Sequence, residues 1–279
     1  MRYYIALFVC FAISWVASPV SLAQESTTST TAANSGHPMH VVILGDSNTW
    51  IGGDDCDKPR GWNKWFADVF QPLSCKSYAR SGATWTNTIQ TRKNPDEDIA
   101  VLGNDNVIYN QIVRLLAACD QGIQPTPQLI IIAAGTNDAW FVKKRPRVFA
   151  KSADQAFADK RPMATRKPSQ VLTLAESVRY GCELLAQRFP QAQIILLTPL
   201  QAVQATTANL KKASDIIEQC GRKMGLGVVR QDRECCVRRA DEMKSKRYTT
   251  DGAHTSEEGA RINGTYLAKR ISELLHQSN

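Results

Sequence analysis

Short apolar runs, each closed by a turn residue, recur along the chain. Val41–Leu44 places four apolar residues, three of them β-branched, directly before Gly45, Asp46 and Ser47. Similar runs lie at Leu73–Tyr78, Gln128–Ala134, Ala192–Leu197 and Leu226–Val229. A run of this kind predicts a strand buried on both faces. Between the runs the apolar spacing changes to that of a helix. Gly61–Phe70 carries Trp62, Trp65 and Phe66, and Val107–Cys119 aligns Val107, Ile108, Ile112, Leu115, Leu116 and Cys119. Val171–Arg188 aligns Leu172, Ala175, Val178, Cys182 and Leu185, and Thr207–Met224 turns Ile216 and Ile217 inward. Ser256–Leu275 closes the chain as a helix capped by Thr255 or Ser256, with Glu257 and Glu258 in its first turn.

Strand and helix therefore alternate throughout. That pattern predicts an α/β fold of three layers, a parallel sheet between helices. With right-handed crossovers and about five strands, the order is the flavodoxin-like 2-1-3-4-5. Two segments depart from the alternation. Thr91–Asn106, with Pro95 and Gly103, has the character of an insertion. Lys143–Lys167 is basic, is broken by Pro146 and Pro162, and predicts a surface excursion with a turn or two of helix.

The first residues add a compartment. Met1 and Arg2 precede an apolar stretch from Tyr3 to Val16 and a small-residue site at Ser21-Leu22-Ala23. This is the pattern of a cleavable secretory signal over residues 1–23, so the mature protein is expected to be secreted or periplasmic. Residues 24–37, rich in Ser, Thr and Ala, predict a flexible leader, and 38–279 a single domain. No later segment is long and apolar enough to insert in a membrane.

Of the eight cysteines, Cys10 leaves with the signal. An exported protein can form disulfides, and the spacing suggests one bridge between Cys56 and Cys75 and another joining Cys220 to Cys235 or Cys236. Cys119 and Cys182 fall in apolar helical patterns and are expected as buried thiols. The acids of Gly52–Asp57 do not fit an EF-hand loop, and C-x-x-C spacing is missing, so no metal or other cofactor is expected. The net charge of +8 selects no partner by itself, and no nucleic-acid recognition motif accompanies it. Nothing in the sequence fixes the oligomeric state.

Candidate chemistry lies at the strand ends. Ser47 follows the first strand, Gly82 the second and Asn137 the third, while His254 precedes the last helix. In an open parallel sheet all four converge at the carboxyl edge. A serine hydroxyl needs a base, and histidine is the natural one near neutral pH. Of four histidines, His37 is in the leader, His40 starts the first strand and His276 is near the terminus. That leaves His254, with Asp251 three residues before it to orient the ring. The N–H groups of Ser47 and Gly82 and the amide of Asn137 could receive an oxyanion. Asp46 and Asp138 are expected to hold loops through backbone N–H groups.

The blocks Gly45-Asp46-Ser47, Gly82, Gly135-Thr136-Asn137-Asp138 and Asp251-Gly252-Ala253-His254 stand in the order seen in the SGNH or GDSL hydrolases. Over about Val41 to Leu275 the chain resembles that family of serine esterases and lipases. The resemblance implies a flavodoxin-like α/β/α fold, Ser47 as nucleophile, Asp251 and His254 as its partners, and Gly82 and Asn137 as oxyanion donors. One departure is the second block, where Ser77, Tyr78 and Arg80 stand and an Asn often seen before the Gly is missing.

Trp50, Trp85 and Trp140 each follow a motif residue by three positions, and with Arg80 they are candidates to line a substrate cleft. Indole faces suit sugar rings. The basic excursion could add attraction for an acidic glycan. The expected activity is hydrolysis of an acyl ester, most simply an acetyl group on a carbohydrate, through an acyl-Ser47 intermediate. The alternatives are a lipid esterase, lysophospholipase or thioesterase, and a glycan-binding or partner module with a vestigial site.

Overall fold

The computed structural model describes residues 38–96 and 103–277. The described residues belong to one compact unit, Gly36–Asn279. The expected signal and leader, residues 1–37, lie outside the described residues.

Five parallel strands form one sheet: β1 (His40–Gly45), β2 (Ser74–Ser77), β3 (Leu129–Ala133), β4 (Gln193–Leu197) and β5 (Gly227–Val229). Their order is β2-β1-β3-β4-β5, as the alternation predicts. Register pairs Gly45 with Ala133 and Ala133 with Leu197, so the central strands end level and their following turns share one edge.

The continuous apolar runs are buried on both faces because each strand sends alternate residues to opposite layers. Val42, Leu44, Ile130, Ile132, Ile194 and Leu196 join one core, together with α3 (Ile108–Asp120), α6 (Leu174–Arg188) and α7 (Thr207–Lys223). Val41, Ile43, Leu129, Ile131, Ile195 and Leu197 join the other, with α2 (Trp62–Phe70) and α10 (Glu257–Gln277). The helix pair α2 and α10 approaches closely at Gly264, where a β-carbon would lie 2.2 Å from the Trp62 carbonyl oxygen. Ser256 caps α10, its Oγ accepting from Gly259 N at 3.2 Å.

Short helices occupy the turns: α1 (Ser47–Trp50), α4 (Thr136–Trp140), α5 (Ala153–Ala158), α8 (Gln231–Glu234) and α9 (Arg239–Glu242). With four to six residues each, they offer no apolar period for a sequence argument to detect. Thr91–Asp96 and Gly103–Asn106 have no helix or strand, as expected of an insertion; its residues 97–102 lie outside the described set.

Two cysteine expectations part ways. The Cys56 and Cys75 sulfurs lie 3.0 Å apart. Cys220 is buried between α6 and α7, 3.7 Å from the Ala175 carbonyl. Cys235 packs instead with Leu200 and Val237, and its sulfur is 4.0 Å from that of Cys236. Cys220 thus lies in a different cluster from Cys235 and Cys236, and the structure does not pair it with either as expected. Cys182 is buried and Cys119 half-buried.

Candidate active site

β1 delivers Ser47 to the carboxyl edge as the first residue of α1. The turn between them is held from three sides. Gln111 of α3 grips the Gly45 peptide, its Nε2 donating to the carbonyl and its Oε1 accepting from the N–H, each at 2.8 Å. Asp46 caps α1 by accepting from Asn48 N at 3.1 Å. Trp62 Nε1 donates to Thr49 Oγ1 at 3.0 Å, which anchors α1 to α2.

His254 Nε2 lies 2.9 Å from Ser47 Oγ, and His254 Nδ1 lies 2.7 Å from Asp251 Oδ2. The ionised carboxylate can only accept, so Nδ1 carries the proton and Nε2 offers its lone pair to the serine. Burial disfavours charge on Asp251, but the His254 N–H, the His254 ring and the Ala253 N–H outweigh it and hold the pKa down at about 2. Asp251 thus remains an anion wherever histidine can act as a base.

Asn48, which the sequence argument passed over, sits beside this relay. Its Nδ2 donates to Ala253 O at 3.0 Å and its Oδ1 accepts from Thr255 N at 3.0 Å. The residue after the serine therefore fixes the peptide on either side of the histidine.

The expected oxyanion donors are the N–H groups of Ser47 and Gly82 and the amide of Asn137. Among the described residues, neither Ser47 nor Gly82 donates its backbone N–H to another protein group. Gly82 has φ of 74°, a left-handed conformation that costs glycine little. Asn137 Nδ2 donates one hydrogen to Ala83 O at 3.0 Å, leaving its second amide hydrogen for a ligand. Asp138, fully buried, accepts from Trp85 N at 2.9 Å, from Thr86 N at 3.0 Å and from the Thr86 hydroxyl. It thereby ties the loop after Gly82 to α4. Arg145 Nη1 donates to Thr86 O at 2.6 Å and secures the same loop.

Burial pushes the Asp46 carboxyl up to about 7, against the pull of the Asn48 N–H and of His254. Its cap is therefore partly protonated near neutrality.

The expected substrate contacts divide. Trp50 is 38% exposed and borders an open pocket of about 360 Å³ with Ile51, Asp54, Asp55, Asp57 and Lys58. Trp85 is not a rim residue: it is 1% exposed and packs into the core facing Gly181 and α3. The shared spacing after Gly82 misleads because this loop turns its indole inward, under the sheet's helical layer. Trp140 is half-buried, stacked on Phe141 at 5.1 Å. Arg80 is not available to substrate either. It is buried and bonded to the Asp54 carboxylate at 2.9 and 3.3 Å. Its N–H also donates to Gly45 O at 3.2 Å, which secures the second block without the Asn.

Three cations of the basic excursion are neutralised by neighbouring carboxylates. Lys151 and Arg166 pair with Glu176, and Arg161 and Arg166 with Asp159. The expected attraction for an acidic glycan loses those charges. Among the described residues, no group of three or more His, Cys, Asp or Glu side chains is placed to hold a metal ion, and no helix is long and apolar enough to cross a membrane.

Residues 43–262 match the GDSL-like lipase/acylhydrolase family. No curated protein matches the chain in sequence. Among solved structures, a protein of Chitinophaga pinensis described as a possible lipase is similar at 15% identity and a TM-score of 0.55, over 85% of this chain and 98% of its own. A Lactobacillus plantarum protein aligns at 13% identity and a TM-score of 0.55, over 86% and 98%. A Bacteroides uniformis protein described as GDSL-like aligns at 17% identity and a TM-score of 0.52, over 85% and 96%. At these identities the likeness concerns the fold.

Proposed function

Because the chain belongs to the GDSL-like lipase/acylhydrolase family and is thereby an ester hydrolase, we propose that it acts through an acyl-Ser47 intermediate. The observation that carries this is the unbroken relay from Ser47 Oγ through His254 to Asp251, at 2.9 and 2.7 Å. In the first half-reaction His254 Nε2 takes the serine proton as Oγ attacks the ester carbonyl. The oxyanion is received by the N–H groups of Ser47 and Gly82 and by the Asn137 amide, each such donor being worth about 10²–10³ in rate. Asp251 stabilises the imidazolium, which then protonates the departing alcohol. Water activated by the same nitrogen resolves the acyl enzyme.

For substrate, we favour a short acyl group on a carbohydrate. Trp50 stands one helical turn from Ser47, and its pocket combines an indole with carboxylates suited to hydroxyl groups. A lipid ester is the second reading. A panel of p-nitrophenyl esters beside acetylated polysaccharides separates them. Acetate preference with release of acetate from polysaccharide supports the carbohydrate ester. A kcat/KM rising steadily with acyl length overturns it. Fluorophosphonate labelling tests the nucleophile itself, and absence of an adduct on Ser47 in folded protein excludes this mechanism. The amino-terminal pattern supports export, which sequencing of the mature amino terminus would check against cleavage after Ala23.

A further inference from the structure

The loop that follows α1 and the edge strand β2 are tied residue by residue in opposite order. Cys56 Sγ lies 3.0 Å from Cys75 Sγ, and the Asp55 carboxylate pairs with the Lys76 ammonium. The Asp54 carbonyl accepts from Ser77 N at 2.8 Å, and the Asp54 carboxylate binds Arg80 at 2.9 and 3.3 Å. One side of this ladder leads back from Asp54 to Trp50 and Ser47. The other leads from Ser77 through Arg80 to Gly82. The ladder thus joins the loop of the exposed indole to the oxyanion loop, beside the bond from Arg80 N to Gly45 O.

Cys56 adopts φ of 55°, a left-handed conformation in which a β-carbon is unfavourable and glycine would be the relaxed choice. A side chain at such a position calls for a use, and this one is directed, buried, at a second thiol. Two thiols that belong, among the described residues, to no group of three or more potential ligands suit a covalent bridge better than a metal.

We propose that Cys56 and Cys75 form a disulfide that fixes the Trp50 pocket against the oxyanion loop. The bridge forms by exchange with a disulfide of a protein oxidoreductase or of the glutathione type. One thiolate attacks that disulfide and the second displaces it, so the two cysteines lose two protons and two electrons while the oxidant becomes two thiols. Its effect on turnover rests on the esterase function proposed above; the bridge itself does not.

The full chain is equilibrated with oxidised glutathione, alkylated in denaturant, digested and analysed by mass spectrometry. A peptide linking Cys56 to Cys75 is expected, and it should disappear after dithiothreitol. Both residues recovered alkylated after equilibration would overturn the proposal. Hydrogen exchange then compares oxidised and reduced wild type, so no variant has to fold. Reduction is expected to speed exchange several-fold at 50–58 and 78–83, and unchanged exchange there would overturn the coupling to the site. In kinetics, reduction should lower kcat/KM several-fold for wild type and leave Cys75→Ser unaffected; equal responses of the two proteins would overturn the coupling as well. A linked peptide in a chain inert to every ester would refute the proposed function and not the bridge.

Discussion

Asn48 holds His254 without touching its ring. Its amide donates to Ala253 O and accepts from Thr255 N, both at 3.0 Å, so the two peptide groups flanking the histidine hang on the residue next to Ser47. Base and nucleophile are thus registered through backbone, independently of the bond between them. Asn48→Ala is expected to lower kcat by about 10–100-fold with little change in KM, since a small misplacement of a reacting group costs on that order. Asn48→Asp, which keeps the acceptor and loses the donor, should fall between the two. Steady-state kinetics with p-nitrophenyl acetate, beside thermal melts to confirm folding, decide it.

Asp138 supports the opposite wall. Asp138→Ala strands the N–H groups of Trp85 and Thr86 in the interior. Leaving buried donors unpaired costs roughly 2–4 kcal/mol in total. Chemical denaturation should show that loss, and the surviving folded protein should turn over more slowly because the segment beyond Gly82 is no longer tied to α4.

Asp46 sets a pH dependence of stability. Its folded pKa of about 7 lies above the ordinary 3.8, so the folded state retains a proton that the unfolded chain gives up. Stability from this group is fully present below pH 3.8 and is lost as pH rises to 7, by roughly 4 kcal/mol from about three pKa units. Asp46→Asn still accepts from Asn48 N and has no proton to lose. The variant should gain on wild type by roughly that amount between pH 4 and pH 7, read from denaturant midpoints at the two values. A constant difference between the two proteins would show that the carboxyl does not titrate in this window.

The tryptophans give a contrast within one residue type. Trp85→Ala empties a core site and should destabilise the fold by about 3–5 kcal/mol. Trp50→Ala removes a 38% exposed side chain and should leave the melting temperature nearly unchanged. On an acetylated oligosaccharide it is expected to raise KM several-fold, with p-nitrophenyl acetate as the control that does not respond.

The sheet was legible because Val41–Leu44 and Leu129–Ala133 are apolar without interruption, a pattern that a strand covered on both faces produces. Strand order then followed from handedness. Ser47 and His254 were legible through scarcity, as only one histidine was left at the working edge. Asn48, Gln111 and the grip of Asp138 were not. Each binds peptide groups 52 or more residues away, and a partner of that kind leaves no local pattern. Trp85 was misread because equal spacing in sequence says nothing of which way a loop faces. Arg80 was a candidate for the cleft because its partner Asp54, across a different loop, leaves no local pattern in the sequence.

The packing of α10 on α2, with Gly264 against the Trp62 carbonyl, has a consequence for biosynthesis. The nucleophile precedes the histidine by 207 residues, and the histidine stands directly before the helix that packs on α2. Most of the sheet can assemble beforehand, since its five strands all precede Asp251. A chain whose synthesis has not reached residue 254 therefore carries an unarmed serine. Hydrolytic competence waits on residues 251–254, and a disturbance that frees them from Asn48 should abolish it before the sheet itself melts.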